Sequence, residues 1–161
     1  MTARLRYRSP IGVLAAEASD DGLLGLSFSD RSAPRAGVSA RARAHLEAAE
    51  AALDDYFAGR APALPVLDLR GTPFQREVWA ALLAIPWGEV RTYGEVARLL
   101  GRPGAARAIG GANHENPVMI LVPCHRVVQS SGGLGGYGGG VEVKRWLLAH
   151  EAAHAPALRL G

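Results

Sequence analysis

Three short apolar-rich runs open the chain, at residues 5–8, 11–16 and 23–28, cut by Ser9-Pro10 and by Asp20-Asp21-Gly22. Runs of that length between turn residues predict strands, and the Asp-Gly step predicts a hairpin. The period then changes. Across residues 41–57 the apolar positions Leu46, Ala49, Leu53 and Tyr56/Phe57 fall on one helix face, and Gly59 is placed to end the helix. Between Gly59 and Gly71, Pro62 and Pro65 interrupt any period, so this stretch is read as a linker. Nothing before it calls for chemistry, and its role is read as structural.

The signals sharpen beyond Gly71. Thr72-Pro73-Phe74-Gln75 supplies a capping threonine, a proline at the first helical position and a glutamine at the third. Phe74, Val78 and Leu82 continue as one apolar stripe until Pro86-Trp87-Gly88. Thr92-Tyr93-Gly94-Glu95 is a second capping box, opening a short helix through Leu100. A turn at Gly101-Arg102-Pro103-Gly104 leads to a third helix over 105–112 that carries Arg107 and Ile109 on a small-residue surface. Two short helices around a glycine turn fit both a helix-turn-helix and an ordinary helical hairpin. The small face of the second helix would let its backbone approach phosphates closely, with Arg107 projecting alone. The final helix is expected over 141–153, with Trp146 and Leu147 inward and His150-Glu151 near its end. The fold class is therefore α/β (α+β). A small N-terminal sheet-plus-helix domain with its linker, residues 1–70, precedes a mainly helical domain with a winged-helix-like helix-turn-helix, residues 71–161.

Charge sharpens that division. Residues 1–70 carry nine arginines and nine acids, whereas residues 71–161 carry eight arginines and Lys144 against six acids, the whole of the net +3. An anionic partner is worth considering for the second part. The 161 residues include one cysteine, Cys124, which excludes an intramolecular disulfide and any zinc site built on paired cysteines. No apolar run approaches a membrane span, and no apolar core follows Arg4, Arg6 and Arg8 as a secretory signal would require. A cytoplasmic protein with a reduced thiol is expected.

Cys124 follows an apolar run, residues 118–122 between Pro117 and Pro123, and such a thiol is commonly buried and inert. Its neighbours His125 and Arg126 offer the other reading, since a nearby imidazole or guanidinium favours the nucleophilic thiolate. A histidine base needs an orienting partner, and Glu151 is the best-placed carboxylate. The stretch 132–140 holds seven glycines around Leu134 and Tyr137 and lacks the Gly-Lys-Ser/Thr ending of a triphosphate loop. It reads either as a surface loop or as a lid whose amides and Tyr137 meet a flat ligand.

Taken together, Pro123-Cys124-His125-Arg126-Val127, Asn116-Pro117 before it, and Gly136-Tyr137 and Lys144-Arg145-Trp146-Leu147-Leu148 after it resemble the O6-alkylguanine-DNA alkyltransferase family. Thr92-Tyr93 and Ala106-Arg107-Ala108 fall where that family keeps its helix-turn-helix contacts. The resemblance is strong from Thr72 to Glu151 and holds only in outline before it. It implies a single-turnover methyltransferase that flips O6-alkylguanine, with O4-alkylthymine as a further candidate, out of double-stranded DNA and takes the alkyl group onto Cys124. It further implies His125 as base through a water, Glu151 as its orienter and Asn116 as the brace of the surrounding turn. Tyr93 would protonate the departing base beside the nucleotide's phosphate, and Arg107 would fill the vacated stack. Ala106 and Gly110 would lie against DNA, and Val127, Tyr137 and Gly138 against the base. No cofactor, no metal and no membrane partner is implied, and the protein is expected to be a monomer.

Three departures from the family pattern stand out. Gly138 removes a side-chain hydroxyl that many relatives place at the base, Glu115 adds an acid near the expected DNA surface, and residues 1–70 lack the cysteines of the family's occasional zinc site. The competing readings are a lesion binder without transfer, which the presence of Cys124 argues against, a cysteine hydrolase using Cys124, His125 and Glu151, and a helix-turn-helix regulator.

Overall fold

The computed structural model describes residues 2–29 and 38–155. Strands β1 (Ala3–Ser9), β2 (Gly12–Ala18) and β3 (Leu23–Phe28) form an antiparallel sheet in that order, with Leu5 opposite Ala16 and Ala16 opposite Leu26. Alternation along β2 buries Leu14, Ala16 and Ala18 on one face. Helix α1 (Ala40–Phe57) lays Leu46, Ala49, Leu53 and Tyr56 against that side of the sheet. Ser39 caps the helix by accepting the Ala42 amide at 3.0 Å.

The outer edge of β3 shows how the two parts of the chain are joined. Leu23 donates to the Val66 carbonyl at 2.8 Å and accepts from the Asp68 amide at 2.9 Å. Further along, Leu26 donates to the Pro117 carbonyl at 2.8 Å and accepts from the Met119 amide at 2.9 Å. The expected linker is thus no loose tether: its end lies along the sheet, which also satisfies backbone groups that an edge strand would leave open. Proline spacing hides this, because a segment that pairs over three residues needs no period of its own.

Helix α2 (Pro73–Leu83) begins at the expected capping box, Thr72 accepting from the Gln75 amide at 3.1 Å while Gln75 accepts from the Thr72 amide at 2.9 Å. After β4 (Arg91–Thr92), helix α3 (Tyr93–Leu99) starts with the same device on Thr92 and Glu95. Helix α4 (Ala106–His114) follows, without a side-chain cap. The Trp79 indole on α2 donates to the Ala112 carbonyl at 2.9 Å, and Arg102 in the α3–α4 turn pairs with Glu77 at 3.0 Å over the Phe74 ring. Helices α3 and α4 are therefore held as a unit on α2, as a helix-turn-helix requires. β4 pairs in parallel with β5 (Val127–Val128), and α5 (Val141–Ala153) closes the domain.

The apolar run at 118–122 is a buried loop. It turns at Ile120, whose φ of 73° lies in the left-handed region, a conformation that costs a β-branched residue on the order of 1–3 kcal/mol. A buried loop must satisfy its own backbone, and Asn116 does much of this: its side-chain amide donates to the Val122 carbonyl at 2.8 Å and accepts from the Val118 amide at 3.0 Å.

Candidate active site

Pro123 leads into one turn of 3-10 helix, Cys124–Arg126, and the tight turn sets Cys124 at a cavity while His125 and Arg126 both reach Glu151. Cys124 is 6% exposed and lies at the wall of a cavity of about 380 Å³. Tyr93, Gly110 and Asn113 line it from α3 and α4, and Gly136, Tyr137 and Gly138 from the glycine-rich loop. Burial pushes the Cys124 thiol up, against a smaller lowering by the Asn116 side chain and the Lys144 ammonium. The resting group is a thiol, and it needs a base to become a nucleophile.

A candidate base adjoins it in sequence. His125 is fully buried and its Nε2 hydrogen-bonds Oε2 of Glu151. Burial lowers the imidazole pKa despite the opposing pull of Glu151, so His125 rests neutral. A carboxylate only accepts, which places the hydrogen on Nε2 and the free lone pair on Nδ1. Nδ1 is buried and has no hydrogen-bond partner among the described residues.

Glu151 is itself fixed from three sides. Arg126 Nε donates to Oε1 at 2.6 Å, and the Tyr56 hydroxyl donates to Oε2 at 2.7 Å, alongside His125. Burial raises the Glu151 carboxyl, but the hydrogen bond from His125, followed by the hydrogen bond and charge of Arg126, outweighs it and holds the group at about 2. The expectation that Arg126 assists the thiol is corrected here. Its guanidinium turns to Glu151 and to the Ile85 carbonyl, 2.7 Å away, because a buried guanidinium must be paired. The cation acting on Cys124 is Lys144, buried, with Nζ donating to the Val127 carbonyl at 2.7 Å.

Tyr93 is the first residue of α3, and its ring reaches the cavity past Gly110 and Gly135. At Gly135, with φ of 79°, any added Cβ would sit 3.1 Å from the Tyr93 hydroxyl, so glycine serves both the turn and the approach. Burial raises the Tyr93 pKa, and the same cause raises that of Tyr137, whose hydroxyl is buried with no partner among the described residues. Both phenols keep their protons.

The structure thus brings Tyr93, Gly110, Cys124, Tyr137 and Gly138 to one cavity, with His125, Glu151 and Asn116 packed behind the thiol. It does not bring Val127 there: that residue is fully buried, with its carbonyl on Lys144 and its amide on the Cys124 carbonyl. Ala106 and Arg107 stand at the start of α4, and Arg107 is exposed with no ion pair among the described residues. Gly110, expected at the DNA surface, also lines the cavity. Sequence reasoning missed Tyr56, Lys144 and Asn113. Lys144 left a trace, since the buried face of α5 is Lys144, Leu147 and Glu151, and charges at core positions of a helix ask for a reason. Tyr56 left none, because an aromatic on an apolar stripe looks like core.

The model of the 6-O-methylguanine DNA methyltransferase DNA-binding domain matches residues 73–153. A methylated-DNA–protein-cysteine methyltransferase of Mycolicibacterium paratuberculosis is 50% identical, over 95% of this chain and 96% of its own. The crystal structure of Mycobacterium tuberculosis O6-methylguanine methyltransferase matches with a TM-score of 0.82 at 45% identity, covering 98% of this chain and 96% of that one. The structure of Mycobacterium tuberculosis OGT in complex with DNA matches with a TM-score of 0.81 at 46% identity, over 94% of each chain.

Proposed function

The chain belongs to the 6-O-methylguanine DNA methyltransferase family, and we propose that it repairs O6-alkylguanine in duplex DNA by accepting the alkyl group on Cys124, once per molecule. It is a methylated-DNA–protein-cysteine methyltransferase with DNA as its partner. The observation that carries the assignment of residues is the thiol at the cavity wall beside a neutral histidine with an unpartnered Nδ1.

The alkylated oxygen is buried in the base stack, so the nucleotide has to leave it, at a cost of a few kcal/mol that is least for a damaged pair. Arg107, exposed at the start of α4, fills the gap and offsets part of that cost. The base enters the cavity against Tyr137 and the Gly138 backbone. His125 Nδ1 takes the thiol proton through one water, and Glu151 stabilises the imidazolium. The sulfur–carbon bond forms as the carbon–oxygen bond breaks, and guanine leaves with a proton from Tyr93, later returned to the phenol from His125. The net exchange of a thiol hydrogen for a methyl group yields guanine and S-methylcysteine. A thioether is a poor leaving group, so turnover stops. Glu115, exposed just after α4, opposes the phosphates and favours weak, salt-sensitive binding to undamaged duplex. The same reading carries a cytoplasmic monomer.

Intact-protein mass spectrometry after mixing with DNA containing O6-methylguanine tests this directly. One added methylene per molecule, mapped to Cys124 and absent from Cys124→Ser, is expected. Continued turnover with no lasting mass change would indicate a hydrolase, and DNA that keeps its methyl group would indicate a binder or regulator.

A further inference from the structure

We propose that Tyr56, carried by the N-terminal sheet-and-helix unit, is a positioning residue of the alkyl-transfer relay, its hydroxyl fixing the Glu151 oxygen on which His125 depends. The inference rests on the reaction proposed above and extends its machinery across the chain. Tyr56 is 1% exposed and sits on the last turn of α1, 95 residues before Glu151 in sequence. Its hydroxyl is 2.7 Å from Oε2, the oxygen that also accepts from His125, while Oε1 is held by Arg126. Two donors on one oxygen and one on the other fix both the position and the plane of the carboxylate. They also divide the work: Arg126 balances the charge, while Tyr56 competes with His125 for the same electron density.

That competition has a sign. A donor on Oε2 weakens the pull of Glu151 on the imidazole proton and helps keep His125 neutral, and therefore basic at Nδ1, in the resting protein. Removing the hydroxyl should strengthen the pull, so that His125 becomes protonated at a higher pH and the acid limb of the rate profile moves up. Other charged and titratable groups face this relay from each packed element. The 3-10 turn contributes Cys124 and Arg126, the glycine-rich loop Tyr137, and α5 Lys144. His150 of α5 donates to the Tyr56 carbonyl at 2.6 Å and its ring lies 5.3 Å from the Tyr56 ring. Among these, Tyr56 is the neutral donor whose removal leaves every formal charge in place.

The test is the single-turnover rate of methyl transfer from O6-methylguanine DNA, followed across pH with the full chain. Tyr56→Phe keeps the ring packed against Trp87 and Phe57 and removes only the donor. The rate at neutral pH should fall about tenfold, as for loss of one hydrogen bond to a charged group. The acid limb should move up by about half a pH unit. Replacing Tyr56 with 3,5-difluorotyrosine, a stronger donor of the same shape, should move the limb down. Phe57→Leu loosens the same aromatic cluster without touching Glu151, and should lower thermal stability with the limb in place. A limb unmoved in folded Tyr56→Phe, or moved equally by Phe57→Leu, overturns the proposal. If Tyr56→Phe does not fold, an unmoved limb in the fluorinated protein overturns it instead. Failure of the unsubstituted protein to take up methyl at all would sink the reaction itself, which separates the two outcomes.

Discussion

The N-terminal unit and the helical unit use their interiors for different things. The sheet and α1 bury alanines and leucines, Leu14, Ala16, Leu23, Leu26 and Leu53 among them. Among the described residues the buried polar and charged side chains are Ser19, Asn116, His125, Arg126, Lys144 and Glu151, and all but the first lie beyond Gly71. Buried ion pairs are poor stabilisers, since hydrophobic replacements of similar volume often serve as well or better. An interior built from a histidine, a guanidinium and a carboxylate is therefore better explained by proton transfer than by stability. Tyr56 takes part in both, as core on one side and hydrogen-bond donor on the other.

The contrast is broken most severely by one substitution on each side. Glu151→Gln leaves Arg126 buried without a counter-charge, at about 3–5 kcal/mol, and removes the carboxylate proposed to orient His125. The transfer rate per folded molecule should fall on the order of 10²- to 10⁴-fold, the scale of general-base catalysis. Leu53→Ala, fully buried on α1, should cost a similar 2–5 kcal/mol with the rate of the folded fraction unchanged. Urea melts paired with single-turnover kinetics check both. A rate loss in Leu53→Ala matching that of Glu151→Gln would erase the distinction.

Arg107→Ala comes next in size. The side chain is exposed and has no ion pair among the described residues, so stability should change by no more than about 0.5 kcal/mol. Repair in duplex DNA should slow by roughly tenfold or more while reaction with free O6-benzylguanine stays the same, because only the former pays for flipping. Equal losses on both substrates would remove the finger role from this residue.

The same two regions differ in how much of them the sequence made legible. Strands, α1 and both capping boxes follow from local rules, because turns and caps are satisfied by neighbours a few residues away, as with Thr72 and Gln75. Cys124, His125 and Glu151 were legible because a motif held them together. Tyr56, Lys144 and the true partner of Arg126 were not, since each is defined by a contact across the chain: Tyr56 to Glu151, Lys144 to the Val127 carbonyl, Arg126 to Ile85 and Glu151. The shape of the loop at 118–122 was hidden for a related reason. The sequence showed an apolar run between two prolines but not its turn at Ile120, nor the hydrogen bonds by which Asn116 satisfies the loop's backbone.

Acid should expose the charged interior before the apolar one. Glu151 is held at about 2, below the ordinary carboxyl value, by His125 and Arg126 against its burial. A depressed carboxyl stabilises the fold at pH above its unfolded pKa, and the contribution is lost as pH falls toward the folded value. Stability should therefore decline between about pH 4.5 and about pH 2, measured by urea midpoints at successive pH. In a variant with Glu151→Gln, already less stable, that part of the slope should be missing. A slope of unchanged steepness would show that other carboxyls dominate acid unfolding.

The finest test matches two helix caps. Ser39 caps α1 and Thr92 caps α3, each accepting an amide hydrogen bond from three residues on, at 3.0 and 3.1 Å. Ser39→Ala and Thr92→Ala should each cost about 1 kcal/mol, the usual worth of such a cap. Their effects on chemistry should differ. Residue 40 faces solvent, so fraying there changes nothing at the cavity. Tyr93 is the residue directly after the Thr92 cap, and loosening that turn shifts the cavity-lining phenol proposed to protonate the leaving base. Small displacements of a reacting group are costly in rate, and about a two- to fivefold loss is expected for Thr92→Ala with none for Ser39→Ala. Equal stability losses with equal rates would mean that Tyr93 is held by the cavity wall rather than by its cap, and would move the control of that proton donor from α3 to the glycine-rich loop.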